Sequence, residues 1–120
     1  MSNRDRRSIP EISPAEVARR QSAGEELTLL DVREPVEWRL ANLGDDVLKA
    51  PMSRLVREGV EALPTAARDR EAEIIVFCHH GVRSAQVVAW LRQHGWHGVL
   101  NLAGGIDAYA RDVDSSVGLY

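Results

Sequence analysis

Ile74-Ile75-Val76-Phe77-Cys78-His79-His80-Gly81-Val82-Arg83-Ser84-Ala85 is the stretch that decides the fold of this 120-residue chain. Four apolar residues with strand preference, Ile74 to Phe77, run without alternation into Cys78, the pattern of a strand covered on both faces. A short loop containing Gly81 then opens a helical pattern over Ser84–Gln93. In that pattern Val87, Trp90 and Leu91 share one face, which Val88 widens, and Gly95 ends it. A buried strand feeding a helix through a tight turn is the repeating unit of a parallel α/β sheet.

The same alternation extends in both directions. Ile9–Ile12 reads as a short edge strand, and Ser13-Pro14-Ala15-Glu16 as a helix start, with Ser13 as N-cap and Glu16 completing a capping box. Leu27–Val32 is a second buried strand, followed by a helical stretch over Pro35–Leu40. Val47–Ala50 is a weaker strand, and Pro51-Met52-Ser53 opens another helix running towards Leu63. Beyond the central unit, Val99–Leu102 is a strand, Gly104-Gly105 a turn and Ile106–Asp112 a last helix. The expectation is one α/β domain over residues 9–114, a three-layer sandwich whose mostly parallel five-stranded sheet carries helices on both faces. Residues 1–8, polar and locally basic through Arg4, Arg6 and Arg7, are expected to form a flexible tail, and residues 115–120 a C-terminal tail.

Composition narrows the function classes. Hydrophobic residues at 44% and charged ones at 28% are ordinary globular values. A net charge of -3 gives no general attraction to nucleic acid or to an anionic membrane. There is no apolar run near the roughly 18 residues of a membrane span, nor the apolar stretch of a signal peptide in Met1–Pro10. A soluble, cytoplasmic protein is expected. The single cysteine cannot build an internal disulfide framework.

That cysteine carries the chemistry. In an open α/β sheet ligands bind beyond the carboxyl ends of the strands, where Cys78 lies. Gly81 allows the loop to curl so that successive N–H groups point inward as an anion-binding nest. Together with the positive end of the following helix, such a nest favours negative charge on the sulfur, the reactive form of cysteine. Arg83, with His79 or His80 when protonated, would add positive charge at the entrance. The competing reading is a buried structural cysteine, but Gly81, two histidines and Arg83 within five residues favour a nucleophile.

These residues resemble the active-site loop of rhodanese-like sulfurtransferases. Leu30-Asp31-Val32-Arg33-Glu34-Pro35-Val36-Glu37-Trp38 is similar to the family's early strand-turn-helix motif. Asn101-Leu102-Ala103-Gly104-Gly105-Ile106-Asp107-Ala108-Tyr109 is similar to its C-terminal signature, where Tyr109 is often a tryptophan. The likeness spans roughly Ile9 to Asp114. It departs at Asn42-Leu43-Gly44-Asp45-Asp46-Val47, where the family often has His-Ile-Pro-Gly-Ala.

The resemblance implies transfer of a sulfane sulfur in two steps. The Cys78 thiolate takes sulfur from a small anionic donor such as thiosulfate, and the persulfide gives it to cyanide, a thiol or a protein acceptor. No metal or organic cofactor is implied. Cys78 would be the nucleophile, with the amides of His79, His80, Gly81, Val82, Arg83 and Ser84 holding the charge. Ser84 would also cap the helix, and Arg83 would bind the donor's anion or tie the loop to a nearby carboxylate. His79 and His80 would shape the entrance. Asp31 and Arg33, closing a neighbouring strand, would brace the loop.

Two other functions compete. Cysteine phosphatases and arsenate reductases of related fold place five residues between Cys and Arg, whereas four separate Cys78 from Arg83. Reductases of this kind also usually use a second thiol. A docking or sulfur-carrier module is the non-enzymatic alternative. Zinc is disfavoured, since Cys78, His79 and His80 are contiguous and His94 and His97 flank a turn, so neither set has the spacing of a zinc pattern.

Overall fold

The computed structural model describes residues 9–120, so the basic segment Met1–Ser8 lies outside the described residues. The chain runs β1 (Glu11–Ile12), α1 (Pro14–Ser22), β2 (Leu29–Asp31), a 3-10 turn (Pro35–Glu37) and β3 (Leu48–Lys49). It continues through α2 (Met52–Glu58), β4 (Ile74–Phe77), α3 (Val82–Gln93), β5 (Val99–Leu102) and α4 (Gly105–Asp112), with a last 3-10 turn at Ser115–Val117. The five strands form one sheet in the order β1-β5-β4-β2-β3. Every pairing is parallel. Asp31 lies opposite Phe77, and Val76 opposite Asn101, so the carboxyl ends of β2, β4 and β5 finish side by side.

Strand geometry sends successive side chains to opposite faces, and β4 shows the consequence. Ile74, Val76 and Cys78 pack with Leu55 of α2 and with Val87, Val88 and Leu91 of α3. Ile75 and Phe77 pack on the other face with Val17 of α1 and Ile106 of α4. All four residues of β4 are buried, which is why the segment has no polar alternation. Each fully buried aliphatic side chain contributes roughly 1.5–3 kcal/mol to holding the layers together. Trp96 is also buried, its indole N–H donating to the Ala67 carbonyl at 3.0 Å.

Three local expectations are corrected. Ser13 does cap α1, its Oγ accepting from the Glu16 N–H at 3.1 Å, but the Glu16 carboxylate turns to Arg19 instead of closing a box. The helix expected over Pro35–Leu40 is a single 3-10 turn, because Val36 and Leu40 are exposed and offer no apolar face to bury. Helix α3 begins at Val82 behind Gly81, which places Ser84 inside the first turn and not at the cap. Past α4, residues 115–117 form the last 3-10 turn. Asp114 caps their 3-10 turn through the Ser116 N–H at 3.0 Å, and the Val117 carbonyl accepts from the Asn42 N–H at 3.2 Å. Among the described residues no helix is long and apolar enough to cross a membrane.

Candidate active site around Cys78

The Cys78 sulfur sits at the bottom of the loop between β4 and α3, with 1% of the residue exposed. Two amides point at it: the Gly81 N–H at 3.2 Å and the Ser84 N–H at 3.4 Å. The Ser84 hydroxyl oxygen lies 3.3 Å from the same sulfur. Gly81 adopts φ +93°, a conformation that a side chain disfavours. A Cβ there would also come within 3.2 Å of the Gly104 nitrogen.

What keeps the amides turned inward lies outside the loop. The Cys78 carbonyl accepts from the Ile106 N–H at 2.9 Å, and the His79 carbonyl from the Asp107 N–H at 3.0 Å. The first amides of a helix have no partner within it. Here those of α4 tie back the loop carbonyls that would otherwise compete for the space around the sulfur. Gly105, at φ +67°, lets α4 come this close, since a Cβ at that position would meet the Cys78 and His79 carbonyls.

Asn101 supports the cradle from β5. Buried beside the loop, it accepts from the Ser84 hydroxyl at 2.6 Å and donates to the Gly81 carbonyl at 3.1 Å. A serine hydroxyl has one proton. With a protonated thiol, Cys78 S–H donates to Ser84 Oγ and the hydroxyl donates to Asn101. With a thiolate, the Ser84 proton can turn to the sulfur. The pair therefore adapts to either state of Cys78.

Arg83 forms a bidentate pair with Glu37, both N···O distances being 2.8 Å. Of its two expected roles, the carboxylate tie is the one this geometry displays. Asp31 and Arg33 pair beneath the site, Arg33 Nη2 lying 2.8 Å from Asp31 Oδ2. Among the described residues neither makes a side-chain hydrogen bond to the Cys78 loop. Arg33 instead donates to the Glu37 carbonyl at 3.2 Å and to the Tyr120 hydroxyl at 3.0 Å, and Tyr120 donates to the Glu37 carboxylate at 2.9 Å.

Glu37 has a measurable pH signature. Its bidentate bond to Arg83 holds its carboxyl down at about 2, against an ordinary 4.5, with burial opposing the shift. The unfolded chain takes up this proton at the higher pH, so the contribution to stability is full above about 4.5 and drains away towards about 2. The melting-temperature gap between the protein and Glu37→Gln is expected to stay level from neutral pH to about 5, then close as acid is added. A gap that stays level through that window sinks the assignment.

The two histidines differ. Burial and the neighbouring His80 lower the pKa of His79, so it favours the neutral form and adds little charge at the entrance. His80 and Val82 are exposed on the rim. The ligand atoms of His79, His80 and Asp107 lie within 4.8 Å of one another. The two imidazoles, however, are stacked at 3.8 Å with 30° between their planes, so their in-plane lone pairs run nearly side by side and converge poorly on an ion. Glu37, Asn101, Gly105 and Tyr120 were not singled out from the sequence as site residues. The first three lie in the two outer motifs, which was the available signal; Tyr120 had none.

A parallel α/β sheet with one cysteine cradled at the strand–loop–helix junction defines the class of domain. The chain belongs to the Rhodanese-like domain family, whose profile matches residues 13–112. It is 33% identical over 103 residues to a sulfurtransferase of Allochromatium vinosum, covering 86% of this chain and 90% of that protein. It is 35% identical over 109 residues to the probable adenylyltransferase/sulfurtransferase MoeZ of Mycobacterium tuberculosis. That match takes in 91% of this chain but only 26% of the mycobacterial protein. The rhodanese-related protein of Thermoplasma volcanium superposes with a TM-score of 0.69 at 31% identity, over 87% of this chain and 93% of that one.

Proposed function

We propose that this protein is a sulfurtransferase that carries a sulfane sulfur on Cys78 as a persulfide. The observation that supports it is the convergence of the Gly81 N–H, the Ser84 N–H and the Ser84 hydroxyl on one sulfur atom. The Cys78 thiolate attacks the outer sulfur of an anion such as thiosulfate. The donor's S–S bond breaks, and sulfite leaves with its electron pair. The new Cys78 S–S bond puts the reactive sulfur about 2 Å further towards the loop mouth. A nucleophile such as cyanide, a thiol or a protein acceptor then attacks that outer sulfur and releases the Cys78 thiolate. Electrons and atoms balance without a metal or an organic cofactor.

Arg83 fits two roles in this cycle. Glu37 occupies one N–H of each terminal nitrogen, and among the described residues the guanidinium's other donors have no hydrogen-bond partner, which leaves them for the donor anion at the rim. Hydrogen bonds to a charged sulfur contribute about 1.5–3 kcal/mol each, so the cradle stabilises the thiolate and persulfide states relative to a sulfur in an apolar pocket.

Intact mass spectrometry after thiosulfate treatment tests the reading. The expected result is a gain of one sulfur atom, mapped to the Cys78 peptide and removed by cyanide with release of thiocyanate. Cys78→Ser is expected to gain none. An unmodified wild-type protein, or an adduct that cyanide leaves in place, rejects the persulfide route.

A further inference from the structure

The Cys78 sulfur is covered, yet the proposed chemistry needs a donor and an acceptor to reach it. Beside its loop lies the last stretch of the described residues. Tyr120 lies flat on His79, ring centroids 3.7 Å apart and planes within 7°. Its hydroxyl meanwhile donates to Glu37 at 2.9 Å and accepts from Arg33 at 3.0 Å. Glu37 is the carboxylate that holds Arg83. One side chain thus joins the two shoulders of the Cys78 loop, resting on residue 79 directly and reaching residue 83 through Glu37.

The way this segment is fixed separates an anchor from a moving part. Ser115–Val117 is held by the Asp114 cap and by the Asn42–Val117 hydrogen bond, and Val117 packs on the core. After it comes Gly118 at φ +107°, where a Cβ would meet the Leu40 carbonyl oxygen at 2.7 Å. Leu119 is half exposed and Tyr120 more than a third exposed. Tyr120 itself is held by its two hydroxyl hydrogen bonds, its ring stack and a backbone hydrogen bond to His79, individually modest contacts of a kind that can open locally while the domain stays folded.

We propose that Tyr120 is a gating residue: latched across His79 and the Glu37–Arg83 pair, it closes the mouth of the Cys78 loop and sets the size of molecule that reaches the sulfur. Release of the ring opens the mouth. It also removes the phenol from Glu37, freeing the Glu37–Arg83 pair to shift towards an incoming anion. Small donors pass during brief openings, whereas a bulky acceptor must displace Tyr120. The proposal rests on Cys78 as the reacting group, but its test reads thiol access, so a failure of sulfur transfer and a failure of gating are told apart.

The test is the alkylation rate of Cys78, the single cysteine, by iodoacetamide and by a bulky fluorescein maleimide, measured across pH on the full chain. Tyr120→Ala is expected to speed the bulky reagent about tenfold and the small one only about twofold, as expected when a minor open state becomes dominant. Tyr120→Phe, which keeps the stack and loses the hydroxyl bonds, is expected to fall between. Gly118→Ala, pushed off Leu40, is expected to behave like Tyr120→Ala while leaving the tyrosine in place. Thermal unfolding verifies that each variant is folded. Unchanged bulky-reagent rates in both Tyr120→Ala and Gly118→Ala overturn the gate. So does an equal acceleration of both reagents with a moved pH midpoint, which would mean altered thiolate formation and not altered access.

Discussion

Arg33→Met is expected to lower the stability of the folded protein by about 3–5 kcal/mol, as measured by urea denaturation. Arg33 is fully buried and Asp31 is 2% exposed. Asp31 accepts from the Arg33 side chain at 2.8 and 3.0 Å and from the Arg33 backbone N–H at 2.9 Å. Arg33 also donates to the Ala41 carbonyl at 2.8 Å. Methionine fills much of the volume but leaves the Asp31 carboxylate buried with only a backbone donor. Such an uncompensated charge is far more costly than the pair is stabilising. Asp31→Asn combined with Arg33→Met is therefore expected to recover part of the loss, because the stranded charge is gone. A loss below about 1 kcal/mol for Arg33→Met would show that the pair is not desolvated as the geometry indicates. The same substitution removes the Arg33 bonds to the Glu37 carbonyl and the Tyr120 hydroxyl, so it should also loosen the Glu37–Arg83 clamp. Through that route, and not by side-chain hydrogen bonds to the loop, Asp31 and Arg33 can brace Cys78.

Legibility in the sequence followed how local each cause is. The β4–α3 unit could be read because unbroken apolar residues and a helical apolar stripe are properties of neighbouring positions, and both lie where expected. The N-terminus of α1 was readable for the same reason, Ser13 and Glu16 being three positions apart. Ser84 misled because serine near a helix start resembles a cap, yet its hydroxyl bonds to Asn101, 17 positions on. The ties around the site are longer still. Glu37 meets Arg83 across 46 positions and Arg33 meets Tyr120 across 87, and no periodicity reports such pairs. The Pro35–Leu40 error had a different origin. Proline at a first turn suits a helix, but a helix persists in a protein by burying a face, and this segment has none to bury.

Gly105→Ala is expected to cost on the order of 3 kcal/mol and to spoil the sulfur cradle. Two effects combine at this position. A residue with a Cβ held at φ +67° carries strain of about 1–2 kcal/mol. The added Cβ would also meet the Cys78 oxygen at 2.7 Å and the His79 carbonyl carbon at 2.6 Å. Neither of these is the far end of a flexible side chain, so backbone must move. The movement separates the Ile106 and Asp107 amides from the two carbonyls they restrain, and the Gly81 and Ser84 donors lose their aim. Gly24→Ala supplies the control. Gly24 has φ +91°, but a Cβ there would meet nothing within 4 Å, so only the conformational part should appear, about 1 kcal/mol. The two variants therefore separate strain from collision in urea titrations. Persulfide yield on Cys78 then tells whether the collision reaches the site, with a clear loss expected for Gly105→Ala and none for Gly24→Ala. Equal stability losses in the two variants, with equal persulfide yields, would mean that α4 does not hold the loop carbonyls in place.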